Sequence, residues 1–237
     1  MTLPNETTKA NLLVAALNHV PFDGWSDATF EAAVQDTGMD AGLADVICPR
    51  GAVDLAIAYH VRGDMEMLAR FATEDLSDLR YSEKVAALVR MRLETATDKE
   101  AVRRGTTLFA LPQHAGDGVK LIWGSADAMW TALGDTSRDS NWYSKRATLS
   151  GVYSSTVLFW LGDMSENHAD TWAFLDRRIE DVMRFEKVKA QVNASPLLKP
   201  LLAGPKWALS FLKAPSETNR DDLPGHWSGS SDTPSKG

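Results

Sequence analysis

Glu166, His168 and Asp170 are the nearest approach to a reactive cluster in this 237-residue sequence. Carboxylate and imidazole are the donor types that hold a metal ion. Steps of two residues on a helix point side chains apart, so the trio reads as the cap and turn at a helix start. Cys48 is the single cysteine, which excludes an intrachain disulfide and a thiolate cage. It sits beside Pro49 and has only Arg50 nearby to favour a thiolate, so it reads as buried and inert. His19, His60, His114 and His226 are scattered. No Glu-x-x-His pair, His-Glu-x-x-His, Walker A or Gly-x-Ser-x-Gly occurs, and Gly116-Asp117-Gly118 lacks the third glycine of a dinucleotide loop. The expectation is therefore a protein with no catalytic residues, no metal and no cofactor.

The elements around these residues are helical by period. Trp142, Arg146, Leu149, Tyr153, Thr156 and Trp160 recur at three- and four-residue steps and share one face. Trp172, Leu175, Ile179 and Val182 repeat the pattern after a short polar break. Residues 139–178 thus read as an antiparallel pair of aromatic-rich amphipathic helices. Lys145 and Arg146 fall in the first turns of a helix, where its dipole disfavours cations, so they call for carboxylates such as Asp135 or Asp139, or for a docking surface.

Asn-Trp-Tyr-x-Lys-Arg-Ala-x-Leu-x-x-x-Tyr-x-Ser-Thr at 141–156 and Asp-Thr-Trp-x-Phe-Leu-x-Arg-Arg-Ile at 170–179 resemble the COQ9 family of ubiquinone-biosynthesis proteins. The resemblance implies a non-catalytic lipid-binding accessory of ubiquinone biosynthesis. Such a protein binds a polyprenyl quinone precursor at the membrane and presents it to a partner hydroxylase. It also implies an isoprenoid pocket among the C-terminal helices and a hydroxylase-docking surface around the turn, which is carried onto Asp163, Asp170 and Trp172.

Composition permits this. Hydrophobic residues are 44% and charged residues 24% of the chain, the range of a globular protein, and the net charge of −7 repels nucleic acid. The N-terminus lacks the pattern of a secretory or transit peptide, and no apolar run is long enough to span a bilayer. The expected location is cytoplasmic, peripheral at the inner membrane of a bacterium.

The expected fold is all-α: one bundle of about nine helices, similar to TetR regulators, over 1–194. Its head, 5–60, has the helix-turn-helix layout of those regulators, and 61–194 forms a ligand- and partner-binding body. Leu12, Leu13, Ala16 and Leu17 face inward from a helix that Pro21 is expected to stop; Ser26 or Asp27 caps the next, and a long helix starts near Gly51. Asp23, Asp27, Glu31, Asp36, Asp40 and Asp45 stand where a DNA-reading head needs cations, so the head reads as degenerate. The alternative is a TetR-type transcriptional regulator responding to a lipid ligand.

Helices at 81–96, 98–110 and 119–133 follow. Trp123, Ala126 and Trp130 share a face of the last. With Leu149, Tyr153 and Thr156 they either line a pocket for an isoprenoid lipid or phospholipid, or form plain core. Residues 195–215 are apolar, free of acidic residues, and carry Lys199, Lys206 and Lys213 two helical turns apart. With Trp207, Phe211 and Leu212 they read as an amphipathic helix lying on a membrane surface or folded back on the bundle. Residues 216–237 have the composition of a disordered tail. Bundles of this type commonly pair through their last two helices, and residues 158–160 or Phe174 would serve a homodimer.

Overall fold

The computed structural model describes residues 4–137 and 140–194. The described residues form ten α-helices and a short 3-10 turn, with no strand among them. In order these are α1 (Pro4–Ala16), α2 (Val20–Asp23), α3 (Asp27–Thr37), α4 (Ala41–Ile47), α5 (Ala52–Thr73), α6 (Tyr81–Glu94), α7 (Lys99–Ala110), α8 (Ala115–Ala132), α9 (Ser140–Gly162) and α10 (Ala169–Ala194), with the 3-10 turn at Glu166–His168. The all-α expectation holds, with one helix more than the nine expected.

Local chemistry explains most boundaries. Ser26 accepts from the Thr29 N–H at the start of α3, Asp40 from Leu43 N–H at α4, and Asp98 from two amides at α7. Gly38 closes α3 in the left-handed conformation, at φ 63°. Two boundaries depart from expectation. α1 ends at Ala16, and Pro21 lies in the first turn of the short helix α2 instead of acting as a terminator. Proline's missing N–H costs nothing there. α8 starts at Ala115, four residues early, because Gly118 is tolerated inside a helix for a packing reason. A Cβ on it would lie 2.9 Å from the Phe109 Cβ, so glycine lets α7 and α8 approach closely.

Two hydrophobic cores result. One joins α1–α5 through Leu12, Leu13, Val20, Phe30, Ala33 and Leu55. The other joins α5–α10 through Met67, Leu88, Val89, Met129, Leu149 and Leu175. α5, at 22 residues, runs about 33 Å and contributes to both. Trp25 fastens the head to the body: its indole N–H donates to Ala101 O at 3.1 Å. Cys48 is buried in the head core, and burial pushes its thiol pKa up, which leaves it protonated and unreactive. No described helix is long and apolar enough to cross a membrane.

Candidate functional site

α5, α6, α7, α8 and α9 do not close completely on one another. They leave a cavity of about 210 Å³. Its wall is mostly apolar, with Ala56, Leu93, Val102, Phe109, Ile122 and Val157 among the lining residues. Leu158 lines it too and is 60% exposed, so the opening lies at its side of α9. The space exists because small residues stand where large ones would fill it: Ala56 on α5, Ala101 and Gly105 on α7, Gly118 on α8.

One stretch of the wall is polar, where His60, Arg92, Tyr59 and Tyr153 line the cavity. Behind them Asp64 and Ser125 bind the group together. Arg92 Nε donates to Asp64 at 2.5 Å, and a second guanidinium nitrogen donates to His60 O at 3.0 Å. Ser125 Oγ lies 2.8 Å from Asp64 Oδ1 and 2.8 Å from His60 Nε2. A hydroxyl has one proton to give, and the carboxylate takes it, so His60 Nε2–H donates to Ser125. Burial, followed by the nearby Arg92 charge, pushes His60 down to about 4, so the imidazole is neutral at physiological pH. Gly63 lets the Arg92 guanidinium lie against α5; a Cβ there would sit 2.6 Å from it. The trio of Ser125, His60 and Asp64 is not a hydrolase relay. Asp64 orients the serine rather than the imidazole, and Ser125 is fully buried.

The six residues expected to line a pocket divide. Tyr153 lines this cavity; Trp130 and Leu149 line a smaller one of about 70 Å³ between α6, α8, α9 and α10. Ala126 and Thr156 are fully buried and line neither. Trp123 stands outside, packed against Trp142 at 5.9 Å and Tyr143 at 6.3 Å. The shared face was read correctly, but most of it packs as core. His60 and Arg92 carried no signal in the sequence, because their partners are 65 and 28 positions away.

The cations at the start of α9 have carboxylate partners. Lys145 Nζ bonds Asp135 at 2.7 Å, and Arg146 bonds Asp127 at 2.5 Å and Asp135 at 3.1 Å. Burial disfavours the Asp135 anion, yet hydrogen bonds from Lys145, Ser137 and Arg146 outweigh it and hold the carboxyl at about 2. A folded pKa below the unfolded value stabilises the fold above the unfolded pKa, near 4, and the contribution disappears as pH falls through the folded one. Stability measured by denaturant titration is therefore expected to drop between pH 4 and about 2, and an Asp135→Asn variant, already weakened, to show a shallower drop there.

At the turn between α9 and α10, Asp163 is buried. Its carboxylate accepts from the Ser165 N–H at 2.8 Å, the Thr171 N–H at 3.0 Å and the Thr171 hydroxyl. Those bonds hold the carboxyl well below the usual carboxylate range. Asp170 is not the capping side chain at the start of α10; Ser165 and Asp163 take that role, and Asp170 sits exposed in the first turn. Trp172 is partly exposed, its indole donating to Asn167 O at 2.8 Å, with Arg90 over its ring at 4.7 Å. Asp170 and Trp172 are thus the members of the expected docking surface that reach the outside. Among the described residues no group of three or more His, Cys, Asp and Glu side chains is placed to hold a metal. Lys199, Lys206, Trp207, Phe211, Leu212 and Lys213 lie outside the described residues.

Fold and cavity together define a TetR-like all-α ligand-binding bundle. The fold is similar to the TetR transcriptional regulator from Nitrosomonas europaea, with a TM-score of 0.59 at 20% identity over 73% of this chain and 97% of that one. The COQ9 family model matches residues 115–186. The ubiquinone biosynthesis protein COQ9-B of Xenopus laevis is 30% identical over 201 residues, covering 80% of this chain and 67% of its own length. The COQ9 proteins of Rattus norvegicus and Homo sapiens are each 29% identical over 80% of this chain. This chain belongs to the COQ9 family. It spans 63% and 62% of the rat and human proteins. These relatives are described as mitochondrial, which overturns the expectation of a bacterial inner-membrane protein.

Proposed function

We propose that this chain is a non-catalytic, lipid-binding accessory of ubiquinone biosynthesis that holds a polyprenyl quinone precursor and presents it to a partner hydroxylase at a membrane surface. The cavity between α5 and α9 is the observation that carries the reading. A long isoprenoid gains little by entering water, so a hydroxylase acting on its ring is helped by a carrier that shields the apolar part. An engineered cavity of about 150 Å³ accommodates benzene. At about 210 Å³ this one has room for a ring and a short length of chain, and the remainder leaves past Leu158.

The likeness to a TetR regulator supports one competing reading, a lipid-responsive repressor. α4, Ala-Gly-Leu-Ala-Asp-Val-Ile, occupies the DNA-reading position and contains no cation. Arg50, just beyond it, is committed to Asp54 and Asp117. Binding to DNA depends on cations that displace counterions from phosphates, so we favour the carrier. Native mass spectrometry of the purified protein is expected to show a co-purified isoprenoid or phospholipid. Protein free of lipid after expression in ubiquinone-producing cells, together with a gel shift on its own upstream DNA, would reverse the preference.

A further inference from the structure

We propose that the polar wall formed by His60, Arg92 and Tyr153, braced by Asp64 and Ser125, is a head-group subsite for a neutral ring carrying a hydroxyl or carbonyl oxygen. This rests on the cavity being a lipid site and adds which end of the ligand enters and what chemistry it must have.

Three features of the wall select the ligand. First, the polar residues are confined to the α5–α6–α8–α9 junction, and the remaining lining, through Val102, Phe109 and Val157, is apolar. An amphiphile binds such a cavity in one orientation, because a buried polar wall facing hydrocarbon leaves hydrogen bonds unmade. Second, the exposed lining residue Leu158 follows buried Tyr153 by five positions on α9, about 7.5 Å along the helix. The polar end is therefore the inner end, and the hydrocarbon faces the opening. Third, the charges on the wall cancel. Arg92 is the cation that lines the cavity, and its Nε is bonded to Asp64 at 2.5 Å. His60 is neutral, its Nε2–H spent on Ser125. A carboxylate or phosphate brought here would lose its hydration and meet Asp64 close behind the guanidinium, without a free cation in exchange. A phenol or quinone oxygen needs only one donor or acceptor, and the Tyr153 phenol, kept protonated because burial pushes its pKa up, can supply either.

The test compares 4-hexylphenol, hexylbenzene and 4-hexylbenzoate, matched in ring and tail, by the fluorescence of Trp25 and Trp160, both of which line the cavity. One added buried hydrogen bond contributes about 1–1.5 kcal/mol, so 4-hexylphenol is expected to bind roughly tenfold more tightly than hexylbenzene, with 4-hexylbenzoate weakest. Tyr153→Phe and Ser125→Ala are each expected to bring the phenol-to-hydrocarbon ratio to about threefold or less, with circular dichroism confirming the fold; the Tyr153→Phe result stands alone if Ser125→Ala does not fold. Equal affinity for phenol and hydrocarbon, tighter binding of the benzoate, or an unchanged ratio in Tyr153→Phe overturns the subsite while leaving the cavity reading intact. Failure of all three probes to bind overturns both.

Discussion

Arg146→Ala is expected to destabilise the protein by about 3 kcal/mol, the lower end of the range for breaking a buried ion pair from one side. Arg146 is 3% exposed and lies over the Trp142 ring at 3.9 Å while bonding Asp135, which is equally buried. Truncation strands the Asp135 charge with Lys145 and Ser137 as its remaining donors. Retention of Lys145 is why the lower end applies. The bond to Asp127, whose side chain is 43% exposed, adds little. Arg146→Lys should recover part of the loss, since an ammonium replaces the charge but not the planar fork that reaches both carboxylates. Urea titration at pH 7 measures the difference. A loss below about 1 kcal/mol would mean that Asp135 finds water instead, and that this end of α9 is a surface feature.

That cluster also shows what the sequence could and could not convey. Two cations in the first turn of a helix contradict the dipole rule, and the contradiction pointed correctly to a carboxylate partner, with Asp135 among the candidates. The inference worked because the partner lies only 10 and 11 positions away. The helices themselves were legible for a related reason, since caps, glycine stops and apolar period are local signals. The cavity was not. Trp123 and Trp130 share a face by spacing, yet one packs outside on Trp142 and the other donates its indole N–H to Lys145 O beneath the start of α9. Whether an aromatic residue fills space or borders it depends on what stands opposite. Here the opposing residues are Ala56, Ala101, Gly105 and Gly118, drawn from three helices and silent in any periodicity analysis.

The turn between α9 and α10 was harder still. Asp163 was singled out as a docking residue because carboxylates surround the turn. Its oxygens point inward, to the Ser165 and Thr171 amides. A residue eight positions upstream caps α10 because Asn167 and His168 both take left-handed backbone, at φ 53° and 57°, and fold the chain back on itself. Left-handed conformation at two consecutive non-glycine residues is uncommon, and neither residue type announces it. Lys99 and Arg103 of α7 reinforce the same corner, donating to Asp163 O and Leu161 O at the carboxyl end of α9. Their charge suits the negative end of the α9 dipole. The corner is thus tied to the helix that walls the cavity, and whatever docks on exposed Asp170 and Trp172 contacts an element braced against α7.

Val157→Phe is expected to lower lipid retention at least tenfold while changing stability by no more than about 1 kcal/mol. Val157 lines the cavity from α9 and is only partly buried, so a longer side chain has the empty space to enter. An aromatic ring is about the size of the benzene that an engineered cavity of about 150 Å³ holds, and so takes up much of the 210 Å³ present. Filling an apolar void gains contact that offsets the strain of overpacking, which is why stability should stay level. Val119→Phe is the control: Val119 is 67% exposed on α8 and does not line the cavity. The comparison also separates two places where lipid might be held. If Val157→Phe empties the protein of lipid, the ligand resides between α5 and α9. If the variant keeps its full complement while Trp207→Glu loses it, the lipid is held by residues 195–215 and the cavity is unoccupied packing space. The two outcomes exclude each other because a ring placed at position 157 competes only for the interior, and a charge placed at 207 acts on the segment that follows α10.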